Sequence, residues 1–326
     1  MSGPADALAR WVAHQPAGLD LEIVCVEHDD PSQGDPSRTV VRLPACLRDV
    51  SASAVLELLT AGAATVLVRT DGCDELETST EHLATVAHLL AAAGVPRLQV
   101  QDVHGPGAPD ATDVSGGPRA PAPRPVLDAV HLPVARRSVF GLGAASDADL
   151  AAPVAAPSGP RLLSAALAEL VPPDRRDGLD AAADAVRLGA HGCTACGVCV
   201  RACPTDALSL RFFGGEDARQ DVRQDVGPLV TSLLQDPVAC DGCLRCVDLC
   251  PEDVLTVTGA WGWDEVLSRV DVPRSAPVAS LTTKECSRCS ARFPTTDASS
   301  LCPVCAYRRL NPFASRLPPG YEAPAV

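Results

Sequence analysis

Cysteine is the residue type in this chain whose number and spacing could do chemistry. The 326 residues include fifteen cysteines, and twelve of them fall into three sets of four with short, regular spacing. Thiols two residues apart are poorly placed to form disulfides with one another, but they can wrap around a metal. We therefore expect metal centres. The three sets are Cys193, Cys196, Cys199 and Cys203; Cys240, Cys243, Cys246 and Cys250; and Cys286, Cys289, Cys302 and Cys305.

The first two sets belong to an internal repeat in which each run reads C-x2-C-x2-C-x3-C-P. Residues 193–210 match residues 240–257 at an offset of 47. Three thiolates at this spacing can curl around one cube of iron and sulfide, while the turn at the proline carries the fourth to the other cluster. Zinc sites instead pair two C-x2-C knuckles across a longer spacer. The repeat therefore predicts two iron–sulfur clusters of the [4Fe–4S] type rather than zinc.

Residues 190–258 resemble the bacterial two-cluster [4Fe–4S] ferredoxins, because all eight ligand positions are present. The resemblance implies an α+β ferredoxin-like fold, built from β-hairpins and short helices, and low-potential one-electron chemistry. It also implies that the two runs exchange a ligand. Cluster I would be held by Cys193, Cys196, Cys199 and Cys250, and cluster II by Cys240, Cys243, Cys246 and Cys203.

The third set consists of two C-x2-C knuckles separated by twelve residues. Four thiolates in this pattern form a closed tetrahedral site, as in structural zinc ribbons. A rubredoxin-like single iron is the alternative, since Cys302-Pro303-Val304-Cys305 resembles one of the rubredoxin knuckles. Rubredoxins have a longer spacer, a glycine after the knuckle and an aromatic core, and the segment lacks these features. The pattern therefore favours zinc.

The three remaining cysteines, Cys25, Cys46 and Cys73, each lie at or just after the end of a predicted strand. The carboxyl ends of the strands in an open parallel sheet share one edge, where ligands usually bind. Three thiols at this edge would hold a cluster if a fourth ligand joined them. The alternative is that all three are buried thiols with no ligand role.

Residues 43–73 resemble the delta subunit of methyl-viologen-reducing hydrogenase, a domain also attached to some heterodisulfide reductases. The matching segments are Leu43-Pro44-Ala45-Cys46, Gly62-Ala63-Ala64-Thr65-Val66-Leu67-Val68 and Asp71-Gly72-Cys73. The resemblance implies a [2Fe–2S] cluster that exchanges electrons with a flavin-containing partner. The family has two further cysteines, one near Cys25 and one after Cys73, and a [2Fe–2S] cluster needs four ligands. The pattern therefore favours a lost cluster and a domain that serves for docking.

Hydrophobic patterning predicts alternating strands and helices over residues 19–104. The predicted strands cover residues 21–26, 39–43, 64–68 and 98–100. Ser51 and either Ser79 or Thr80 are expected to begin helices that end at Gly62 and Gly94. Strands and helices in this order with short connections predict an α/β domain with a short parallel sheet.

The sequence predicts four segments along the chain. Leu162 to Leu170 and Asp180 to Leu188 have the pattern of amphipathic helices that lead into the first cysteine run. Residues 105–160 are dense in Pro, Gly and Ala, which indicates a linker. The predicted segments are the α/β domain at 1–104, the linker at 105–160, the helical lead-in and dicluster domain at 161–260, and the zinc-ribbon-like segment and tail at 261–326.

The net charge of −14 at pH 7 and the absence of long apolar runs limit the function. An acidic surface repels phosphate backbones, so no nucleic-acid partner is expected. No stretch reaches the roughly 18 apolar residues needed to span a bilayer, and Met1 to Arg10 does not resemble a secretion signal. With so many metal-binding thiols, these features predict a cytoplasmic protein.

The function that the sequence favours is electron transfer between redox partner proteins through two [4Fe–4S] clusters. We find no nucleophile elbow, Walker loop or G-x-G-x-x-G motif, so we expect an electron-transfer subunit without its own substrate site. An alternative is a non-catalytic subunit of a hydrogenase- or heterodisulfide-reductase-like complex, in which a flavoprotein or another subunit carries the catalysis. A third hypothesis is a regulatory zinc-ribbon protein with a cluster as its redox sensor.

Overall fold

The computed structural model describes residues 4–28, 30–32, 35–70, 80–101, 124–133, 159–179, 181–213, 229–295 and 299–311. These residues belong to two compact units. The first unit is drawn from residues 1–182 and 262–272, and the second from residues 183–261 and 273–326. None of the helices in the described ranges has the length and apolar character needed to cross a membrane.

A parallel sheet is the centre of the first unit, as the α/β prediction requires. Within the described residues it has five strands in the spatial order β4-β3-β1-β2-β5, and all neighbours are parallel. The central strand β1 is buried over its last four residues, which is typical of a sheet covered on both faces. The strands are β1 (Leu19–Val24), β2 (Thr39–Arg42), β3 (Ala63–Arg69), β4 (Leu98–Gln101) and β5 (Val126–Asp128).

Helices with one apolar face cover this sheet. The hydroxyl of Ser51 accepts a hydrogen bond from the Ala54 N–H (3.3 Å) and so begins α2, as predicted. Gly62 and Gly94, which follow α2 and α3, have φ of +121° and +70°, and glycine adopts these values without steric cost. The helices are α1 (Pro4–Ala13), α2 (Ala52–Thr60), α3 (Glu81–Ala92) and α4 (Gly159–Leu170).

A buried ion pair joins the centre of the sheet to the segment that precedes β5. Glu22 on β1 is 1% exposed, and its carboxylate accepts two hydrogen bonds from Arg124, at 2.7 and 2.5 Å. Arg69 on β3 donates a third at 3.0 Å. The segment that contains Arg124 and β5 lies in the range predicted as a linker. The composition gave no sign of this strand, because it pairs with β2, which lies 86 positions earlier in the chain.

The second unit contains the two cysteine runs and two sheets. Strands β6 and β9 pair with each other. The other four strands form an antiparallel sheet in the order β11-β10-β8-β7, so the hairpin of the third cysteine set continues the sheet of the dicluster segment. The elements are β6 (Ala182–Ala190), α5 (Val198–Ala202), β7 (Leu208–Phe213), β8 (Leu229–Gln235), α6 (Arg245–Asp248), β9 (Leu255–Gly262), β10 (Ala276–Glu285), β11 (Arg292–Pro294) and α8 (Pro303–Leu310).

The side chain of Gln235 connects the two sheets. It is 1% exposed, its amide nitrogen donates to the carbonyl of Val186 (2.6 Å), and its amide oxygen accepts from the N–H of Leu188 (3.3 Å). The side chain thus hydrogen-bonds to β6 much as a neighbouring strand would. A leucine-rich core lies beside this contact, formed by Leu188, Leu208, Leu233, Leu255 and Val278.

The structure differs from the predictions on both sides of the dicluster segment. The amphipathic helix predicted over residues 180–188 is not formed. Residues 182–190 form strand β6, because pairing with β9 and burial in the core outweigh the local helix propensity. Helix α4 and a helix after the second run, α7 (Trp263–Asp271), belong to the first unit. The apolar face of α4 packs against α2 and α7, so the unit boundaries do not coincide with the predicted limits at 160 and 260.

Replacement of Glu22 by alanine is expected to lower the free energy of unfolding of the first unit by about 3–5 kcal/mol, because the buried guanidinium of Arg124 loses its counter-ion. Urea unfolding followed by circular dichroism measures this. Asp20→Asn, on the same strand but only half-buried, is the control and should cost about 1 kcal/mol. Equal unfolding midpoints for Glu22→Ala and the wild type would contradict the structural role of the ion pair.

Candidate metal centres

Two cavities in the second unit are lined by the eight cysteines of the repeat. Each cavity takes three cysteines from one run and the last cysteine of the other run. The first is lined by Cys193, Cys196, Cys199 and Cys250, and the second by Cys240, Cys243, Cys246 and Cys203. The cavities group the same thiols as the ligand sets that the ferredoxin resemblance implies, and the ligand sets themselves stay a prediction.

The turn after each run directs the fourth cysteine and the backbone around it. Asp206 and Asp253, three residues after the fourth cysteine of their runs, have φ of 55° and 51°, a conformation that aspartate tolerates better than most residues. The Ala207 N–H donates to the sulfur of Cys203 (3.2 Å). Burial alone would raise the pKa of Cys250, but backbone N–H groups of residues 252–255 together lower it. Both fourth thiols therefore receive backbone amide donors.

Each run also needs two left-handed residues around its second cysteine. These are Ala195 (φ 56°) and Gly197 (φ 71°) in the first run, and Gly242 (φ 70°) and Leu244 (φ 61°) in the second. One of the two is glycine in each run, but at opposite positions. Gly242 has a further requirement, because a Cβ there would lie 2.3 Å from the carbonyl oxygen of Asp184 on β6.

The third cysteine of each run is held in the interior between the cavities. Cys199 and Cys246 pack against the same leucine core, and burial raises the pKa of each thiol to about 11. Thiols of the opposite run contribute to the increase in pKa, namely Cys250 for Cys199, and both Cys203 and Cys199 for Cys246. The second cysteines, Cys196 and Cys243, are the exposed members of their runs. Each cavity thus has an inner thiol directed at the core and an outer thiol at the surface.

The third cysteine set forms a much tighter group. The sulfurs of Cys286, Cys289, Cys302 and Cys305 all lie within 4.8 Å of one another, and Cys289 and Cys302 are 3.8 Å apart. Metal–sulfur bonds of about 2.3 Å in a tetrahedron place the sulfurs about 3.8 Å apart, so the group has the dimensions of a single-ion site. All of these cysteines except Cys289 are buried.

The surroundings of this group come from the two knuckles and the start of α8. Ser290, directly after the first knuckle, has φ of 59° and fills the place that glycine has in rubredoxins. Phe293 on β11 packs against Cys286, Cys302 and Cys305, so the expectation that the segment lacks an aromatic core was wrong in this respect. Spacing along the chain does not show that Phe293 on β11 lies beside the second knuckle, because the two are brought together by the folded hairpin.

Hydrogen bonding makes the four thiols of the third set unequal. The N–H of Cys302 donates to the sulfur of Cys286 (3.3 Å), and this bond lowers the pKa of Cys286 to about 6. Burial raises the pKa of Cys305 to about 12. At neutral pH one thiolate is therefore ready to bind a cation, and binding must displace a proton from Cys305.

Two of the three cysteines of the first unit lie together. The sulfurs of Cys25, which follows β1, and Cys46, which follows β2, lie within 4.8 Å of each other and of a carboxylate oxygen of Glu27. Cys73 falls outside the described residues. Sequence reasoning missed Glu27, although its place two residues after Cys25 on the same loop was a usable signal.

Comparison with known proteins identifies one segment. Residues 192–254 match the family model for the 4Fe-4S dicluster domain. No curated protein matches the chain. The chain therefore contains a dicluster iron–sulfur segment, which supports a role in electron transfer. The match includes the two cysteine runs and excludes the third set and the first unit.

Gly242→Ala is expected to remove about half of the iron, because its Cβ would collide with the Asp184 carbonyl and the second run could not close. Iron per chain after anaerobic purification measures this. Ala195→Gly changes the equivalent position of the first run in the opposite sense and should keep all the iron, since glycine adopts φ of 56° more readily than alanine. Full iron content in Gly242→Ala would disprove the steric argument.

The third cysteine set is expected to release its metal as the pH falls, because protons compete with the metal for its four sulfurs. The folded-state pKa of Cys286 is lowered from 9.0 to about 6, so the thiolate is favoured above that value and is lost as the pH falls through it. A chromophoric zinc chelator measures release between pH 8 and 4.5, with a sample held at pH 8 as the control. Complete release above pH 7 would be inconsistent with a lowered pKa at this thiol.

Proposed function

We propose that this chain relays single electrons between redox partner proteins through two [4Fe–4S] clusters. Cluster I would be held by Cys193, Cys196, Cys199 and Cys250, and cluster II by Cys240, Cys243, Cys246 and Cys203. The observation that carries the proposal is the composition of the two cavities, each lined by three thiols of one run and one of the other. When bound, such clusters supply one-electron redox chemistry.

The residues around the two cavities are placed so that an electron could pass first through one cluster and then through the other. Cys196 and Cys243 place one exposed ligand of each cluster at the surface, where a partner could approach. Cys199 and Cys246 lie on the inner side, close enough for Cys199 to raise the pKa of Cys246. The short helices α5 and α6, which contain Cys199 and Cys246, pack against each other. An electron could therefore enter at one exposed edge, cross between the inner thiols and leave at the other edge.

The protein's own contribution to the clusters is an apolar interior and aimed backbone dipoles. The leucine core excludes water from the inner thiols. Amide donors such as the Ala195 N–H, 3.4 Å from the sulfur of Cys193, stabilise negative charge on the ligands. These hydrogen bonds raise a cluster's reduction potential, whereas acidic neighbours such as Asp241 and Glu252 lower it.

The third cysteine set supports a structural zinc site. Three of its four thiols are buried, its dimensions suit one tetrahedral ion, and its hairpin continues the sheet of the dicluster segment through β10 and β8. A closed four-thiolate site offers no open position for chemistry. We propose that zinc here fixes the C-terminal hairpin to the electron-transfer unit, with a single iron as the alternative.

A second candidate function is that of a non-catalytic subunit in a hydrogenase- or heterodisulfide-reductase-like complex. The observation that favours it is the first unit, whose parallel sheet carries Cys25 and Cys46 at its carboxyl edge. In both readings the chain has no substrate site of its own. A flavoprotein that stays bound through purification from native cells would favour this candidate. For either role we propose the cytoplasm, where thiols stay reduced.

Paired serine substitutions test the ligand exchange. The wild type should contain about eight irons per chain and give coupled [4Fe–4S] signals in EPR after dithionite reduction. Cys203→Ser and Cys243→Ser are expected to remove the same cluster, so the double variant should keep about four irons. Combining Cys203→Ser with Cys196→Ser should remove both clusters.

The opposite pattern would contradict the proposed ligand sets. If Cys203 served the cluster of its own run, the pair with Cys196 would keep one cluster and the pair with Cys243 would lose both. Cys196 and Cys243 are matched controls, since they occupy equivalent exposed positions in the repeat. Purified protein with zinc but without iron or acid-labile sulfide would refute the electron-transfer proposal as a whole.

A further inference from the structure

A second single-ion site lies at the carboxyl edge of the five-stranded sheet. Cys25 directly follows β1, Glu27 is two residues further on, and Cys46 precedes a 3₁₀ turn at Leu47–Asp49. One ligand atom from each of the three lies within 4.8 Å of the other two. We propose that Cys25, Glu27 and Cys46 bind one divalent metal ion of the zinc class.

The dimensions of the group favour one ion over a two-iron cluster. Donors around a tetrahedral ion with bonds of about 2.0–2.3 Å lie about 3.3–3.8 Å apart, which is within the limit that the three atoms meet. A [2Fe–2S] cluster needs four ligands, usually thiolates. The described residues at this edge supply two thiols and a carboxylate. They do not fit the cluster that the hydrogenase-subunit resemblance implies, and the disagreement itself points to a different metal.

The inner half of the site is formed by the buried sulfur of Cys25. Cys25 is 1% exposed, and the N–H of Glu27 donates to its sulfur at 3.3 Å. The hydrogen bond fixes the position of the buried sulfur relative to the loop that carries Glu27. The same residue thus supplies a backbone donor to one ligand and a carboxylate as another ligand.

The outer half of the site is open to solvent. Glu27 is exposed and Cys46 is half-buried, so an ion can reach the buried sulfur from this side. In their ionised forms the three groups repel one another at these distances, and a divalent cation would offset the repulsion. Thiolates select soft or borderline ions, and the carboxylate adds a harder donor, a combination that suits Zn²⁺. The described residues supply three of the four ligands that a tetrahedral ion takes, whereas the third cysteine set supplies all four.

Zinc analysis of the full-length protein tests the site. Protein purified anaerobically from zinc-supplemented cells should contain one zinc per chain more than Cys46→Ser or Glu27→Gln prepared in the same way. The iron of the dicluster segment should be unchanged in both variants, which reports that the second unit has folded, and unchanged urea unfolding of the first unit should show the same for the sheet. Glu57→Gln removes an exposed carboxylate from α2 and is the matched control that should keep the zinc.

Cobalt provides a readout of direct ligation. In protein from cobalt-supplemented cells, Cys46→Ser should lose intensity from the thiolate-to-cobalt absorption, while Glu27→Gln should shift the ligand-field bands. The Glu27 side chain is exposed, so its replacement by glutamine should leave the sheet intact. A loss of metal in Glu27→Gln would therefore not be explained by unfolding. Equal zinc in the wild type and both variants would overturn the proposal. So would the loss of two irons and a [2Fe–2S] EPR signal in Cys46→Ser, because the edge would then hold a two-iron cluster.

Discussion

The position of the last cysteine of each run in the cavity of the other run is the constraint on which the second unit depends. Cys203 lines the cavity of the second run and Cys250 that of the first. Neither cavity has its four thiols unless both halves of the repeat have folded, so ligand binding at either cavity stabilises the whole unit. The strands must therefore hold the two halves at a fixed separation. The buried side-chain amide of Gln235 contributes to this by hydrogen-bonding to the backbone of β6.

The backbone shapes the two cavities together with the thiols, through its left-handed residues and its amide donors. Left-handed residues on both sides of the second cysteine allow the chain to curl, and amide groups then point at sulfur instead of at other carbonyls. The two halves meet this demand differently. The first accepts alanine at position 195, whereas the second needs glycine at position 242, because β6 passes so close that a methyl group has no room.

The three candidate metal-binding regions differ in how open they are to solvent. The dicluster cavities keep one exposed thiol each, as electron exchange requires. The third set is mostly buried and closed, and its hairpin extends the neighbouring sheet. The edge of the first unit has a buried sulfur on one side and an exposed carboxylate on the other. The three regions differ in solvent exposure because their ligand atoms are buried to different extents. The extent of burial determines how closely a ligand or a partner protein can approach each one.

Some features of the fold could be predicted because they depend on residues close together in the chain. Ser51 as a helix cap, the strand Ala63–Arg69 and the turns after Pro204 and Pro251 are of this kind. Others depended on distant residues and were missed or mistaken. Strand β5 is anchored by a contact between Arg124 and Glu22, and residues 182–190 became a strand because β9 pairs with them. Local propensity carries no information about such partners.

The sequence alone determined the number and type of the thiol sets, since C-x2-C-x2-C-x3-C-P fixes which thiols can curl around one centre whatever surrounds them. It also determined that the first domain has parallel strands, because short connections through helices leave few alternatives. Only the tertiary structure decided which thiols face solvent, that Glu27 joins Cys25 and Cys46, and that the C-terminal hairpin extends the dicluster sheet. These outcomes depend on burial and on contacts between elements far apart in the chain, and spacing along the chain does not encode them.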